Sequence, residues 1–326
     1  MLRYLVTGAL ACMLAFPSLA QTVPAPLDAV MGTGGTQGNY YWAGGEILKR
    51  TGDLFHSSKL AVTKGSLENL RGGTVPPSAT SGRFDLFFTQ SDVGNQFVLE
   101  NPGAGDAIEL LRIVYTEYVH ILCPTKSGWK TLSDIANAKG TRKMIVGPDG
   151  SGTAETWRIM RQADGKKYDG IERNPEPADY SSAHTVADSN DTCMLWVSGL
   201  NSAGMVSANA LSVKTPDGKP SLQLVSIDDP KMLAIKGFDG LPLYKKVSIS
   251  PISAGNGKVA LYDHIIAGGG GWFAGTSVDL LAVPAYLMVR KDFKAALGRE
   301  RLARLLDAID DAQPTIWAKV NPAGSN

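Results

Sequence analysis

Apolar positions along this chain fall into short runs separated by amphipathic stretches, the pattern of strands laid between helices. Leu27 to Met31 predicts a strand and Tyr40 to Arg50 a helix, with a further strand near Lys59 to Val62. Gly65-Ser-Leu-Glu-Asn-Leu70 predicts a helix start with Ser66 as its N-cap, and Arg71-Gly-Gly-Thr-Val-Pro-Pro77 then reads as a loop. Phe84 to Thr89 predicts a strand that delivers Gln90-Ser-Asp-Val93 at its carboxyl end, and Tyr118 to Cys123 predicts another, stopped by Pro124. A complete βα unit follows. Leu132 to Ala138 is a short helix, Lys143 to Val146 a strand, Gly147 to Gly152 a turn and Thr153 to Gln162 a helix. Thr192 to Val197, Leu222 to Ile227 and Leu280 to Arg290 predict strands, and Arg299 to Trp317 an amphipathic helix. Residues 228–271 are rich in glycine and proline and predict no element. Strands alternating with helices argue for a parallel sheet, which takes its ligands at the carboxyl ends of its strands.

Two turns stand out within that pattern. Met31-Gly-Thr-Gly-Gly-Thr-Gln-Gly-Asn-Tyr-Tyr41 packs four glycines and two threonines ahead of a helix that opens with two tyrosines. Gly147-Pro-Asp-Gly-Ser-Gly-Thr153 is a second such turn before a second helix. A turn of this kind leaves backbone N–H groups free at a helix N-terminus, where an anion can be received. Two of them about a hundred residues apart suit two lobes closing on one small ligand. At the second turn a carboxylate would meet the hydroxyls of Ser151 and Thr153 as well as the helix dipole. Gln90 and Ser91 both donate and accept hydrogen bonds, and Asp92 either holds an ammonium group, orients its neighbours or caps a helix.

Other chemistries find less support. Gly32, Gly34 and Gly38 miss the dinucleotide fingerprint by one residue, and the next strand ends in Thr63-Lys64 rather than an acid. The second turn lacks the Gly-Lys pair of a phosphate-binding loop, and no Gly-x-Ser-x-Gly elbow occurs. The four histidines are dispersed and no metal-ligand spacing occurs, so neither a metal nor a cofactor is expected. Tyr40, Tyr41, Trp42, Trp196 and Trp272 are candidate pocket aromatics, although aromatics at element ends more often pack in a core.

Residues 1–20 read as a secretory leader, with Arg3 as the positive end, an apolar run from Leu5 to Phe16, and Ser18-Leu19-Ala20 as the cleavage pattern. Arg3 is the only charge in that leader, so the mature chain balances 31 basic against 31 acidic residues. A net charge of zero gives no electrostatic case for nucleic acid or an anionic membrane surface. About 300 residues suffice for two medium lobes. Cys123 and Cys193 both fall in predicted strands. An oxidising compartment permits a disulfide, but spacing carries no geometry, and we read them as two buried thiols.

Six segments in order resemble the TAXI-type solute receptors of tripartite (TRAP) transporters. They are Gly32-Thr-Gly-Gly-Thr-Gln-Gly-Asn-Tyr-Tyr41, Gly65 to Leu70, Phe84-Asp-Leu-Phe-Phe-Thr-Gln-Ser-Asp-Val93, Tyr118-Val-His-Ile121, Gly147 to Thr153 and Val283-Pro-Ala-Tyr-Leu-Met-Val-Arg290. The resemblance implies an α/β, two-lobed type II periplasmic binding protein, exported and cleaved after Ala20, acting as a monomer and not as an enzyme. It implies a small organic anion such as glutamate or 2-oxoglutarate, or an amino acid, as ligand and a TRAP-type membrane permease as partner. Carried over motif by motif, it places Thr33, Thr36, Tyr40 and Tyr41, then Ser66 and Asn69, then Gln90, Ser91 and Asp92 around the ligand. Ser151, Gly152 and Thr153 would face them from the other lobe. Lobe 1 would take residues 21–120 and return with 231–326, and lobe 2 would take 121–230. The hinge strands would lie near Tyr118 to Cys123 and in the later glycine-rich region, and Arg71 or Arg112 could supply a charge clamp. Two rivals stay open: a periplasmic sensor presenting its ligand to a membrane signalling protein, and an exported enzyme.

Overall fold

The computed structural model describes residues 26–76, 78, 81–212, 220–251, 261–266 and 277–321. The expected leader at 1–20, Gly268 to Gly271 and Trp272 lie outside the described residues. The elements of the first part are β1 (Asp28–Gly32), α1 (Asn39–Arg50), β2 (Ser57–Ala61), α2 (Ser66–Thr74), β3 (Leu86–Gln90), α3 (Ser91–Glu100) and α4 (Ala104–Ala107). Next come β4 (Ile108–Pro124), α5 (Leu132–Asn137), β5 (Lys143–Ile145), α6 (Gly152–Ala163), α7 (Gly165–Tyr168) and β6 (Glu172–Asn174). After these follow α8 (Tyr180–Asp188), β7 (Thr192–Ser198), α9 (Ala203–Leu211), β8 (Leu222–Leu224) and α10 (Pro230–Leu233). The chain closes with β9 (Lys245–Ile249), β10 (Val278–Arg290) and α11 (Lys291–Val320), which is broken at Gly298 (φ 66°).

The strands form one mixed sheet in the order β2-β1-β3-β10-β4-β7-β5-β6, with β8 added to β4 and β9 to β10. The sheet is parallel at its two ends, where β1 pairs with β2 and β3, and β5 with β6 and β7. At its centre β4 and β10 run antiparallel to one another over almost their whole lengths. β10 pairs with β9 through residues 278–282 and with β3 through residues 285–289, while β4 reaches β7 only through residues 118–122. Two long strands therefore cross from one packed unit to the other. The apolar β10, not the glycine-rich region, is the second crossing strand. β4 starts ten residues before the predicted Tyr118 because Glu109, Arg112 and Glu117 interrupt its apolar run.

Side chains alternate across a sheet, so adjacent residues feed different cores. In the first unit Met31, Ile47, Phe88, Tyr115 and Leu287 pack with α11, whereas Leu70, Phe87, Phe97 and Met288 pack on the opposite face. In the second unit Ile121, Met144, Trp157 and Leu195 form one core, and Leu122, Ile145, Met194 and Met205 the other. The result is a mixed α/β fold with two packed units joined through its central strands.

Three local expectations are corrected. Arg71 to Thr74 continue α2 rather than forming a loop. The helix lies directly on two phenylalanine rings: a Cβ on Gly72 would sit 2.4 Å from Phe84 and one on Gly73 2.2 Å from Phe87. Two glycines here permit close approach of the backbone. The N-cap of α2 is Gly65 (φ 117°), so Ser66 is its first helical residue. Cys123 and Cys193 are not two thiols but a disulfide. The antiparallel register pairs Leu122 with Met194, which sets the two cysteines opposite one another with Cα atoms 4.3 Å apart.

Candidate functional site

A cleft of about 480 Å³ opens where the two units meet, and six helix N-termini point into its wall. Gly38 and Asn39 of α1, Gly65 and Ser66 of α2, and Gln90 at the start of α3 come from the first unit. Ser151 to Thr153 of α6, Asp179 of α8 and Ser202 of α9 come from the second. The topology explains the convergence. Most of these helices follow strands of one mixed sheet, so their N-termini gather at the carboxyl edges of those strands. The termini of α1, α2 and α3 carry no side-chain cap, whereas Ser151, Asp179 and Ser202 cap α6, α8 and α9; each terminus brings the positive end of its dipole.

Of the residues singled out in the sequence, Thr36, Tyr40, Ser66, Gln90, Ser151, Gly152 and Thr153 line this cleft. Tyr40 is buried and stacks on Phe88, with ring centroids 5.1 Å apart. Its hydroxyl donates to Glu117 Oε2 at 2.7 Å. Ser66 Oγ accepts from the Gln90 backbone N–H at 3.1 Å, and Gln90 Nε2 donates to Thr156 Oγ1 at 3.0 Å. Ser151 caps α6 by accepting from Ala154 N–H at 3.1 Å.

Thr33, Tyr41, Asn69, Ser91 and Asp92 do not line the cleft. Thr33 turns inward, its hydroxyl donating to Ala61 O at 2.8 Å. Asn69 is fully buried, and its amide donates to the carbonyls of Thr33 and Phe88 while its oxygen accepts from Thr63 Oγ1. It thus braces the first glycine turn from behind. Tyr41 follows Tyr40 by one helical position and so faces another way. Ser91 is buried in the first turn of α3, where its carbonyl accepts from Asn95 Nδ2 at 2.7 Å. Asp92 is fully buried one layer below Gln90, accepting from Thr156 Oγ1 at 2.7 Å, Tyr244 Oη at 2.8 Å and Val93 N–H at 2.8 Å. Burial pushes its carboxyl up against those donors. The group joins α3 of one unit to α6 and the Tyr244 segment of the other.

Asn69→Ala should therefore lower global stability by about 2–3 kcal/mol, because two buried carbonyls lose their donor. Urea unfolding measures this, and a loss under about 1 kcal/mol would mean water replaces the amide.

The arginines proposed as a clamp lie elsewhere. Arg112 pairs with Asp310 at 3.0 Å, and Arg71 borders a separate groove beside Phe97. Among the described residues lining the cleft, Lys64 is the one lysine or arginine, and it is exposed. Trp196, a candidate pocket aromatic, lines the cleft, and so do Glu117, Ser198, Ser202 and Asp179, which went unnoticed in the sequence. Ser202 precedes a helix and could have been found as an N-cap. Nothing local marks Glu117, whose role depends on where β4 crosses.

With its central crossing strands and cleft of helix ends, the protein has the fold of the two-lobed periplasmic binding proteins. The profile of the NMT1-like family matches residues 31–210, more than half of the 326-residue chain, and the chain belongs to that family. Among solved structures it is similar to one described as a periplasmic transporter, at 11% identity and a TM-score of 0.51, over 92% of this chain and 88% of that one. It is also similar to the periplasmic binding protein BugD, at 9% identity and a TM-score of 0.49, over 91% and 87% of the two chains. Identities this low concern the fold alone. Among the described residues no helix is long and apolar enough to cross a membrane.

Proposed function

We propose that this chain is an extracytoplasmic solute receptor, exported by the leader at 1–20, that binds a small organic anion in the cleft and hands it to a TRAP-type permease of the TAXI kind. The observation that carries the reading is the convergence of six helix N-termini, three from each unit, on one cleft with a single exposed lysine. A small carboxylate fits such a site through N–H groups and hydroxyls rather than through an arginine clamp. Residues before β4 together with α11 form one lobe in this reading, residues beyond it the other, and β4 and β10 the hinge. Ligand bridging the two sets of helix ends favours the closed form, which the permease then recognises. The ligand leaves unchanged, so the protein acts as a receptor and not as an enzyme.

The test is isothermal calorimetry of refolded, ligand-stripped protein against a panel of small carboxylic acids. Ser151→Ala should weaken the best ligand roughly tenfold by removing a hydroxyl and a cap at one helix end. Thr36→Ala should do the same from the facing turn. Absence of binding by every acid would sink the anion-receptor reading.

A further inference from the structure

Glu117 is the feature of the cleft that an anion receptor does not need. It lies on the crossing strand β4, is only 5% exposed and lines the cleft among the helix ends. Its Oε2 accepts the Tyr40 hydroxyl at 2.7 Å. Among the described residues, the other titratable groups acting on it are Tyr115 on its own strand and the buried Asp92 of α3, which adds repulsion, and no lysine or arginine acts on it. Burial, the largest effect, pushes its carboxyl up to about 8. A carboxyl kept out of water with no cation beside it is a standing disadvantage unless something else brings the charge.

We infer that Glu117 is a specificity-determining residue that holds the ammonium group of a zwitterionic ligand, a small amino acid whose carboxylate lies on the helix N-termini. The inference rests on the anion-receptor reading above. Three observations favour an ammonium over a second carboxylate. The cleft carries further acceptor oxygens, because Gln90, Ser66 and Ser198 line it too. The Tyr40 hydroxyl already donates to Glu117, which favours the ionised acid that an ammonium needs. A dianion would meet Glu117 and Asp179 with only the exposed Lys64 to offset them.

Ligand-stripped protein is titrated by calorimetry with matched triplets of 2-amino, 2-hydroxy and 2-oxo acids on one carbon skeleton, for example alanine with lactate and pyruvate, and glutamate with its hydroxy and oxo counterparts. Within the best skeleton the amino acid should bind roughly 100-fold more tightly than the oxo acid. Glu117→Gln, which keeps the acceptor for Tyr40, should weaken the amino acid roughly 100-fold and the oxo acid by less than about threefold. Binding of the amino acid at pH 7 should release about one proton, read from the buffer dependence of the enthalpy, because the arriving ammonium ionises the acid. Affinity for the amino acid should accordingly rise roughly tenfold from pH 6 to pH 7. The wild-type proton release decides the matter even if Glu117→Gln fails to fold. An oxo or hydroxy acid binding as tightly as its amino acid would overturn the inference and leave the anion receptor standing. An amino acid preference untouched by Glu117→Gln and without proton release would also overturn it. Failure of every acid to bind would remove the receptor reading and this one with it.

Discussion

Gly152→Leu is expected to weaken the best ligand by about 100-fold or more while leaving both packed units folded. Gly152 is the first residue of α6 and faces the other unit across the cleft. A Cβ there would sit 1.6 Å from Gln90 Oε1 and 2.8 Å from Ser66 Oγ. No rotamer of a larger residue escapes this, because the clash begins at Cβ itself. Gln90 is buried and bonded to Thr156, so relief requires either that its side chain give up this place or that α6 move away from α2 and the end of β3. Its departure would break the Glu68 N–H to Gly150 carbonyl bond at 3.2 Å, the Gln90 bond to Thr156 and the Thr156 bond to Asp92. The Arg158–Glu100 pair at 2.7 Å spans the same seam but is partly exposed and adds little. If the closed arrangement falls to about 1% of the population, apparent affinity falls about 100-fold. Calorimetry gives the affinity, and small-angle scattering should show the variant remaining extended under saturating ligand. Unchanged affinity would mean that α6 and α2 do not close on the ligand.

The second large effect concerns the disulfide. Removing it by Cys123→Ala together with Cys193→Ala should lower stability by about 4 kcal/mol. The bond closes a loop with a sequence separation of 70, and long loops lose the most entropy when cross-linked in the unfolded chain. Both cysteines are fully buried, so reductant should act only after partial unfolding. Urea denaturation with and without reductant gives the difference. A loss below about 1 kcal/mol would show that the unfolded chain holds these strands together without the bond.

How much of this was legible beforehand varies with the range of the interaction. The strand-helix alternation, the two glycine turns and the hydroxyl of Ser151 at a helix start are local. Each depends on φ freedom, hydroxyl placement or apolar period within about ten residues, and a linear reading reaches that far. The break at Gly298 belongs with them, since the predicted helix starts one residue later, at Arg299.

Sidedness was less legible. Gln90 and Asp92 are two residues apart at the end of one strand, yet Gln90 lines the cleft and Asp92 is buried beneath it. Thr33 and Thr36 share a turn and part in the same way, Thr33 inward to Ala61 and Thr36 to the cleft. A polar residue at a strand end can serve the ligand or the framework, and the choice depends on which elements pack behind it. Asn69, placed at the ligand by the family resemblance, braces the first glycine turn, because a buried amide both donates and accepts.

The sequence by itself determined the alternating α/β pattern, the two glycine turns and a chemistry of hydroxyls and helix ends without a metal-ligand motif. These follow from backbone conformational freedom and side-chain chemistry at short range. Only the tertiary structure decided that β4 and β10 both cross between units, that Cys123 meets Cys193, and that Glu117 and Trp196 join the cleft. Those outcomes depend on strand register across long chain separations, where a shift of one residue would turn each side chain to the other face.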